Sequence, residues 1–237
     1  MEEVADAAPD AERWFQLYLV DSLEYSRALV ERAANAGYKA IVLTVDLPIV
    51  GYRPRDLRSG FVFPEQPHVD PATRQRAARY GAIEDQQELG LSWDRVREVR
   101  RWSSLPLILK GVLSPADAGR AAVSGVAGIV VSTHGARQLD RVIATADTLP
   151  PIVDAVNGRI EVWVDGGIRS GLDIALAFAM GATGTLVGRP LYWALAAGGA
   201  TGIQRAVAIL REELETALAL LGVARPDLID RSFIAAS

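Results

Sequence analysis

Short apolar runs alternate with helical stretches along this chain of 237 residues. The runs are rich in Val, Ile and Leu, and most of them show no alternation of apolar with polar residues. Strands buried on both faces have this composition, because helices cover both sides of a parallel sheet. We therefore predict an α/β fold with strands at residues 14–18, 40–45, 105–109, 128–131, 160–164 and 184–187.

The stretches between these runs carry the signals of helix ends. Serines that can cap a helix stand at three starts, and glycines that can end a helix follow each stretch. The three helices are predicted at 23–36, 116–124 and 170–180, with Ser22, Ser114 and Ser170 at their starts and Gly37, Gly125 and Gly181 at their ends. A fourth, amphipathic helix is predicted at 202–221.

Length and repeat together favour a single domain, 1–237, with the architecture of a TIM (β/α)8 barrel. The sequence supplies about six of the eight strand–helix units. We expect the first two units to be the missing ones, so that the barrel is incomplete at the N-terminus. Residues 51–91 are polar and rich in Pro and Arg, which predicts a lid or loop inserted within this domain.

The composition excludes several classes of function. The net charge is -4 and no basic stripe is present, so neither nucleic acid nor an anionic membrane is an expected partner. The absence of Cys excludes disulfides, thiolate metal sites and Cys nucleophiles, and we expect no metal. The acidic N-terminus does not resemble a secretory signal, and no apolar run reaches the ~18 residues that span a bilayer. We therefore expect a cytoplasmic protein with no transmembrane segment.

Polar residues lie at or near the carboxyl ends of all six predicted strands. The active site of an α/β barrel lies at the carboxyl ends of its strands, so this clustering indicates an enzyme. Strand ends are often polar simply because they are exposed to solvent. That explanation is more convincing for one strand end than for all six strand ends together. The residues are Gln16 and Tyr18; Thr44 and Asp46; Lys110; Ser132 and His134; Asp165, Gly166 and Gly167; Gly188 and Arg189.

His134 directly follows a predicted buried strand, where an imidazole can act as a general base near neutral pH. The alternative is a loop histidine that bonds to the backbone. For His68, in the long loop, we favour a solvated residue with no catalytic role. Lys110 either stabilises developing negative charge, forms a Schiff base, or pairs with a carboxylate at the barrel mouth.

Two arginines are candidates for binding a carboxylate, because a planar guanidinium offers two parallel hydrogen bonds. Arg137 lies three residues beyond His134, and Arg53 lies just past the second predicted strand. Arg55 and Arg58 are close by, so the residues alone do not single out Arg53.

The last two strands lead into the glycine-rich turns DGGIRSG and GRP. Such turns, and the helix N-termini that follow them, present backbone N–H groups to phosphate, and barrels often place a phosphate site there. Arg169 and Arg189 add positive charge. The two turns predict a phosphate-bearing ligand or cofactor, although glycines also serve ordinary tight turns.

Seven motifs together resemble the FMN-dependent 2-hydroxy acid oxidases and dehydrogenases, the family of glycolate oxidase, lactate oxidase, mandelate dehydrogenase and flavocytochrome b2. The resemblance covers residues 2–234, essentially the whole chain. The motifs are WFQLY, LTVD, LILKGV, STHGARQLD, VDGGIRSG, MGATGTLVGRP and LREEL.

The resemblance implies an FMN cofactor and oxidation of a small (S)-2-hydroxy acid to the 2-oxo acid. His134 would take a proton from the substrate, Asp46 would orient the imidazole, and Lys110 would stabilise the anionic reduced flavin. Arg53 and Arg137 would bind the substrate carboxylate, and Tyr18 its hydroxyl or carboxylate. The remaining cofactor residues would be Gln16, Thr44 and Ser132 at the flavin ring, Asp165 at the ribityl chain, Gly167, Arg169, Gly188 and Arg189 at the phosphate, and Gly166 beside them.

The chain departs from the family pattern in three places. Thr133 stands where the family usually has Asn, directly before the catalytic His, and Leu47 stands where it has Thr or Ala. The family also carries a segment before WFQLY that holds the first two strands. We expect Met1 to correspond to an internal position of the family, and an opened sheet to make the chain unstable or self-associating.

Two functions of different classes stay open. One is the enzyme, and the other is a non-catalytic truncated remnant that binds FMN or phosphate weakly. A third, a phosphate-binding isomerase or a dehydrogenase of the inosine monophosphate type, is disfavoured by the STHGARQLD segment and the lack of Cys. The substrate (lactate, glycolate or mandelate-like) and the electron acceptor (oxygen, quinone or cytochrome) stay open. GYRPRDL resembles lactate monooxygenases, and the family suggests a homo-oligomer, possibly a tetramer.

Overall fold

The computed structural model describes residues 1–19, 22–48, 51, 54–61 and 91–234. The chain divides into two compact units. The first unit comprises Met1–Lys110, Ser124–Ala127 and Ala136–Asp140, and the second unit comprises Gly111–Val123, Gly128–Gly135 and Arg141–Ser237. Most of the predicted lid, 51–91, lies outside the described residues, and its role and the single-domain assignment stay predictions.

The first unit is built on parallel strands that pair in chain order. The strands are β1 (Trp14–Leu17), β2 (Ala40–Thr44) and β3 (Leu107–Val112), of which the last two residues are assigned to the second unit. The helices are α1 (Glu2–Ala7), α2 (Leu23–Asn35), α3 (Pro54–Ser59) and α4 (Trp93–Val99). In the register, β1 Gln16 lies opposite β2 Val42, and β2 Thr44 lies opposite β3 Lys110.

All five residues of β2 are buried, as the continuous apolar run predicts for a central strand. The third strand begins two residues later than predicted and extends to Val112. Pro106 has no N–H to donate, and only its carbonyl enters the sheet, where it accepts from the Ile41 N–H. Lys110 therefore lies inside β3, which corrects our prediction that it follows the strand.

The second unit repeats the same arrangement. Strands β4 (Gly128–Val131), β5 (Glu161–Asp165) and β6 (Gly184–Leu186) pair parallel in chain order. The helices are α5 (Pro115–Ala121), α6 (Thr145–Val156), α7 (Gly171–Ala179) and α8 (Arg189–Leu221). Short 3-10 turns lie at His134–Ala136, Pro226–Leu228 and Arg231–Phe233.

Helix α8 is longer than the predicted 202–221 and is interrupted. Gly198 and Gly199 leave the helical conformation, with φ of -151° and +60°, so two helical pieces meet there. Helix α7 packs against the C-terminal piece, and small side chains on both allow close approach. This core contains Ala175, Ala179, Ala217 and Ile229, with Leu214 and Leu218 at its edge.

In the described part of the chain, no helix is both long and apolar enough to cross a bilayer.

Candidate active site

Polar side chains from neighbouring strands of the first unit meet near their carboxyl ends. The Gln16 Nε2 donates to the Thr44 Oγ1 at 2.9 Å and to the Tyr18 Oη at 3.0 Å. Thr44 is 2% exposed, and its register partner Lys110 is 8% exposed. The structure therefore joins Gln16, Tyr18 and Thr44 by hydrogen bonds, and it places the buried Lys110 beside Thr44 in the sheet.

Asp46 follows β2 by two residues, and its side chain is half-buried. The preceding Val45 N–H donates to the Lys110 carbonyl at 2.8 Å, which extends the pairing of β2 with β3 beyond the end of β2. The sheet thus fixes the backbone at Val45, directly before Asp46. Its predicted bond to His134 stays a prediction.

Of the two predicted carboxylate-binding arginines, Arg53 lies outside the described residues and Arg137 is exposed. The next residue, Gln138, makes a contact that we did not predict. Its Oε1 accepts from the Gly51 N–H at 2.7 Å, and a Cβ added to Gly51 would lie 2.3 Å from the Gln138 carbonyl oxygen. This close approach explains why position 51 holds glycine, and it ties the loop after β2 to the loop that carries Arg137.

His134 lies in a backbone turn directly after β4. The φ angles of His134, Gly135 and Ala136 are +54°, +64° and +59°, so three successive residues are left-handed. Ser132 is completely buried, and its Oγ accepts from the His134 N–H at 3.0 Å. The prediction placed His134 after a buried strand, but not in a left-handed turn, because only glycine signals that conformation in a sequence.

Asp165 is the last residue of β5, and two left-handed glycines follow it. Gly166 has φ +83° and Gly167 has φ +87°. The Gly166 carbonyl accepts from the Thr145 Oγ1 at 3.4 Å, whereas a Cβ added at Gly167 would meet nothing within 4 Å. The turn therefore has open space at Gly167, on the strand end where a phosphate ester was predicted.

The N–H groups at the start of α7 already have protein partners. The N–H groups of Arg169 and Ser170 both donate to the Asp173 Oδ2 at 2.9 Å, and the Gly171 N–H donates to the Glu213 Oε2 at 2.7 Å. Our interpretation that this helix start presents free N–H groups to a phosphate is therefore wrong. Two carboxylates accept hydrogen bonds from those donors. Their negative charge also interacts favourably with the partial positive charge at the start of the helix. The capping-box spacing of Ser170 and Asp173 was a readable signal for this in the sequence.

The start of α8 differs, because no side chain caps it. Gly188 is its N-cap, and a Cβ added there would meet nothing within 4 Å. The Arg189 Nη2 donates to the Gly135 carbonyl at 3.2 Å. The Arg169 guanidinium lies over the ring of Trp193 on α8, 5.9 Å from the ring centroid. Both predicted phosphate-binding arginines are therefore near the N-terminal part of α8, because Arg189 is its first residue.

A family model described as FMN-dependent dehydrogenase matches residues 1–236. The chain is 44% identical to 2-hydroxyacid oxidase 1 of Mus musculus, over 99% of this chain and 66% of that protein. It is also 44% identical to an L-lactate oxidase of a Nostoc species, over 99% and 68%, and to the 4-hydroxymandelate oxidase of Amycolatopsis orientalis, over 94% and 64%. The chain thus spans about two thirds of the length of these curated relatives.

Among solved structures, mandelate oxidase with 3,3-difluoro-2-hydroxy-3-phenylpropionic acid matches with a TM-score of 0.81 and 44% identity, over 94% of this chain and 62% of that one. A mandelate oxidase variant with a C4a-OH-FMN adduct also has a TM-score of 0.81, at 43% identity, over 94% and 63%. These matches confirm the predicted α/β barrel class with about six strand–helix units. Sequence and fold agree that the chain belongs to the FMN-dependent dehydrogenase family.

Proposed function

We propose that this chain binds FMN and oxidises a small (S)-2-hydroxy acid to the corresponding 2-oxo acid. The observation that carries the proposal is His134 itself, held in a left-handed turn after the buried strand β4 by a bond from its own N–H to Ser132. A backbone conformation that costs free energy persists where its surroundings fix it, and such positions concentrate at active sites. The relatives named as hydroxyacid, lactate and hydroxymandelate oxidases support this chemistry.

The residues present fit FMN. For the phosphate, the second unit offers two arginines, an uncapped helix start at Gly188 and open space at Gly167. For the ribityl hydroxyls, it offers the Asp165 carboxylate. The first unit offers Gln16 and Thr44 as hydrogen-bonding groups for the flavin ring, and the buried Lys110 as a cation that favours a reduced, anionic ring. When bound, FMN supplies the acceptor for the two electrons that leave the substrate.

The protein residues bind the substrate and move its proton. Arg53 and Arg137 bind the carboxylate through planar guanidinium groups, and Tyr18 donates a hydrogen bond to the substrate. His134 takes up one of the two protons that the 2-hydroxy acid loses on becoming the 2-oxo acid, and Asp46 stabilises the charged imidazole. The other proton and the two electrons would pass to the flavin. The substrate is lactate-, glycolate- or mandelate-like, the acceptor that reoxidises the flavin is left open, and we place the protein in the cytoplasm as a homo-oligomer.

Visible absorption of the purified chain with added FMN tests the proposal. The spectrum is recorded before and after anaerobic addition of L-lactate, glycolate and mandelate, and we expect at least one acid to bleach bound flavin. His134→Ala should bind flavin but lose bleaching by about 100-fold or more, as loss of a general base implies. His68→Ala is the matched control and should bleach like the unchanged chain.

Flavin that binds but is not bleached by any of the acids would favour the alternative, a non-catalytic remnant of the family. Its supporting observation is that the chain spans about two thirds of the length of its curated relatives. Normal bleaching by His134→Ala would remove His134 from the role of base.

A further inference from the structure

The turn that carries His134 is held in place by side chains from two other positions. Left-handed backbone is unfavourable for His134 and Ala136, because their Cβ atoms approach the following carbonyl. A run of three left-handed residues of which only Gly135 is a glycine does not persist through local preference, since L-residues form no stable left-handed helix. Contacts from outside the turn must therefore fix it.

Two such contacts are present, one before and one after the His134 peptide. The buried Ser132 Oγ accepts from the His134 N–H at 3.0 Å. On the other side, the Arg189 Nη2 donates to the Gly135 carbonyl at 3.2 Å. The guanidinium lies directly against Gly135, because a Cβ added there would be 2.9 Å from Nη2 and 3.4 Å from Cζ.

We infer that Ser132 and Arg189 are positioning residues that hold the His134 turn and thereby set the direction of its imidazole. The inference rests on the proposed function in one respect, the role of His134 as the base. The direction of the imidazole depends on the Cα–Cβ bond of His134, and the backbone torsions from the end of β4 to φ of His134 fix that bond relative to β4. The contact at Gly135 holds the peptide that follows His134.

Arg169 and Arg189 have similar sequence settings but different contacts in the structure. Arg169 and Arg189 both follow glycine-rich turns, and both were predicted to bind phosphate. The Arg189 guanidinium contacts the Gly135 carbonyl, whereas the Arg169 guanidinium lies over the Trp193 ring. A guanidinium has five N–H donors, so Arg189 can bond to the turn and still offer donors to a phosphate.

NMR of the histidine rings tests the inference without flavin. The chain has two histidines, and His68→Ala identifies the signals of His134. Arg189→Met removes the guanidinium and keeps the apolar stem, and we expect it to shift or broaden the His134 ring signals. Arg189→Lys, which retains a donor, should restore them in part, and Arg169→Met is the matched control that should leave them in place.

Amide hydrogen exchange provides a second readout, for Ser132. Ser132→Ala removes the acceptor of the His134 N–H, and we expect that amide to exchange about tenfold faster, while amides of β4 keep their protection. Arg189→Met should also speed exchange at residues 134–136. If Arg189→Met and Arg169→Met gave the same ring signals and the same exchange, the positioning role of Arg189 would be overturned. If Ser132→Ala left the exchange of the His134 amide unchanged, the role of Ser132 would be overturned.

The two proposals fail in different ways. Ring signals and exchange report on the turn whether or not flavin binds, so loss of flavin bleaching alone would count against the proposed function only. In the bleaching assay at saturating FMN, we expect Arg189→Met to lower the rate of bleaching at saturating substrate. The substrate concentration that gives half of the maximal rate should change little. A change confined to that concentration would contradict a role in positioning the base.

Discussion

The side chain of Gln138 joins two loops of the first unit. Its Oε1 accepts from the Gly51 N–H at 2.7 Å, and the Gln138 backbone lies so close that position 51 has no room for a Cβ. Gly51 precedes Arg53 by two residues, and Gln138 directly follows Arg137. The contact therefore fixes the backbone at Gly51, two residues before Arg53 in the sequence, and at Gln138, directly after Arg137.

Gln138→Leu is expected to lower the free energy of unfolding by about 1–2 kcal/mol, because the Gly51 N–H loses its acceptor. It should also raise the substrate concentration needed for half-maximal flavin bleaching. Urea unfolding checks the first effect and an anaerobic substrate titration the second. Leu139→Ala is the control: this side chain is 69% exposed, and its loss should cost less than about 0.5 kcal/mol. Equal urea midpoints of unfolding for Gln138→Leu and Leu139→Ala would contradict a stabilising role for the Gln138 side chain.

At single positions, the sequence predicted which residues gather near strand ends but not how they bond. The sequence predicts Gln16, Thr44 and Ser132 as flavin contacts, and the structure adds that Ser132 accepts from the His134 N–H. The left-handed turn was not predictable, because two of its three residues are not glycine. The contact of Gln138 with Gly51 was equally hidden, since 87 residues separate the partners.

Among the elements, the start of α7 shows which contacts of a helix N-terminus a sequence motif predicts and which it does not. Ser22, Ser114 and Ser170 each cap a helix through their side chains, as predicted, because N-cap bonds are local in sequence. Whether the Gly171 N–H stays free for a ligand depends on Glu213, which lies on α8, 42 residues away. A local sequence motif cannot predict that contact.

Glu213→Ala is expected to lower the free energy of unfolding by about 1 kcal/mol, because the Gly171 N–H loses a charged acceptor at a helix N-terminus. Glu212→Ala is the matched control, since that carboxylate makes a 3.5 Å pair with Arg205 on an exposed surface. Thermal unfolding measured by circular dichroism compares the two. A Glu213→Ala melting temperature no lower than that of the control would show that the bond contributes nothing.

At the scale of the whole molecule, each unit has a strand with a single partner. Among the strands that the structure describes, β1 pairs only with β2, and β6 pairs only with β5. The second unit also exposes large apolar side chains: Leu172 is 56% exposed, Tyr192 73% and Leu195 47%. Unpaired strand edges and apolar surface both favour association with another chain.

We therefore expect this polypeptide to self-associate, so that its mean mass in sedimentation velocity rises above 25.4 kDa as its concentration increases. Leu172→Lys combined with Tyr192→Lys should shift the association to higher concentration, because charge on an apolar contact surface must be desolvated when the contact forms. Thr201→Lys, at an exposed position of α8, adds a similar charge outside these apolar positions and should not. A monomer at every concentration, with one sharp melting transition, would show that the open edges and apolar side chains do not drive association.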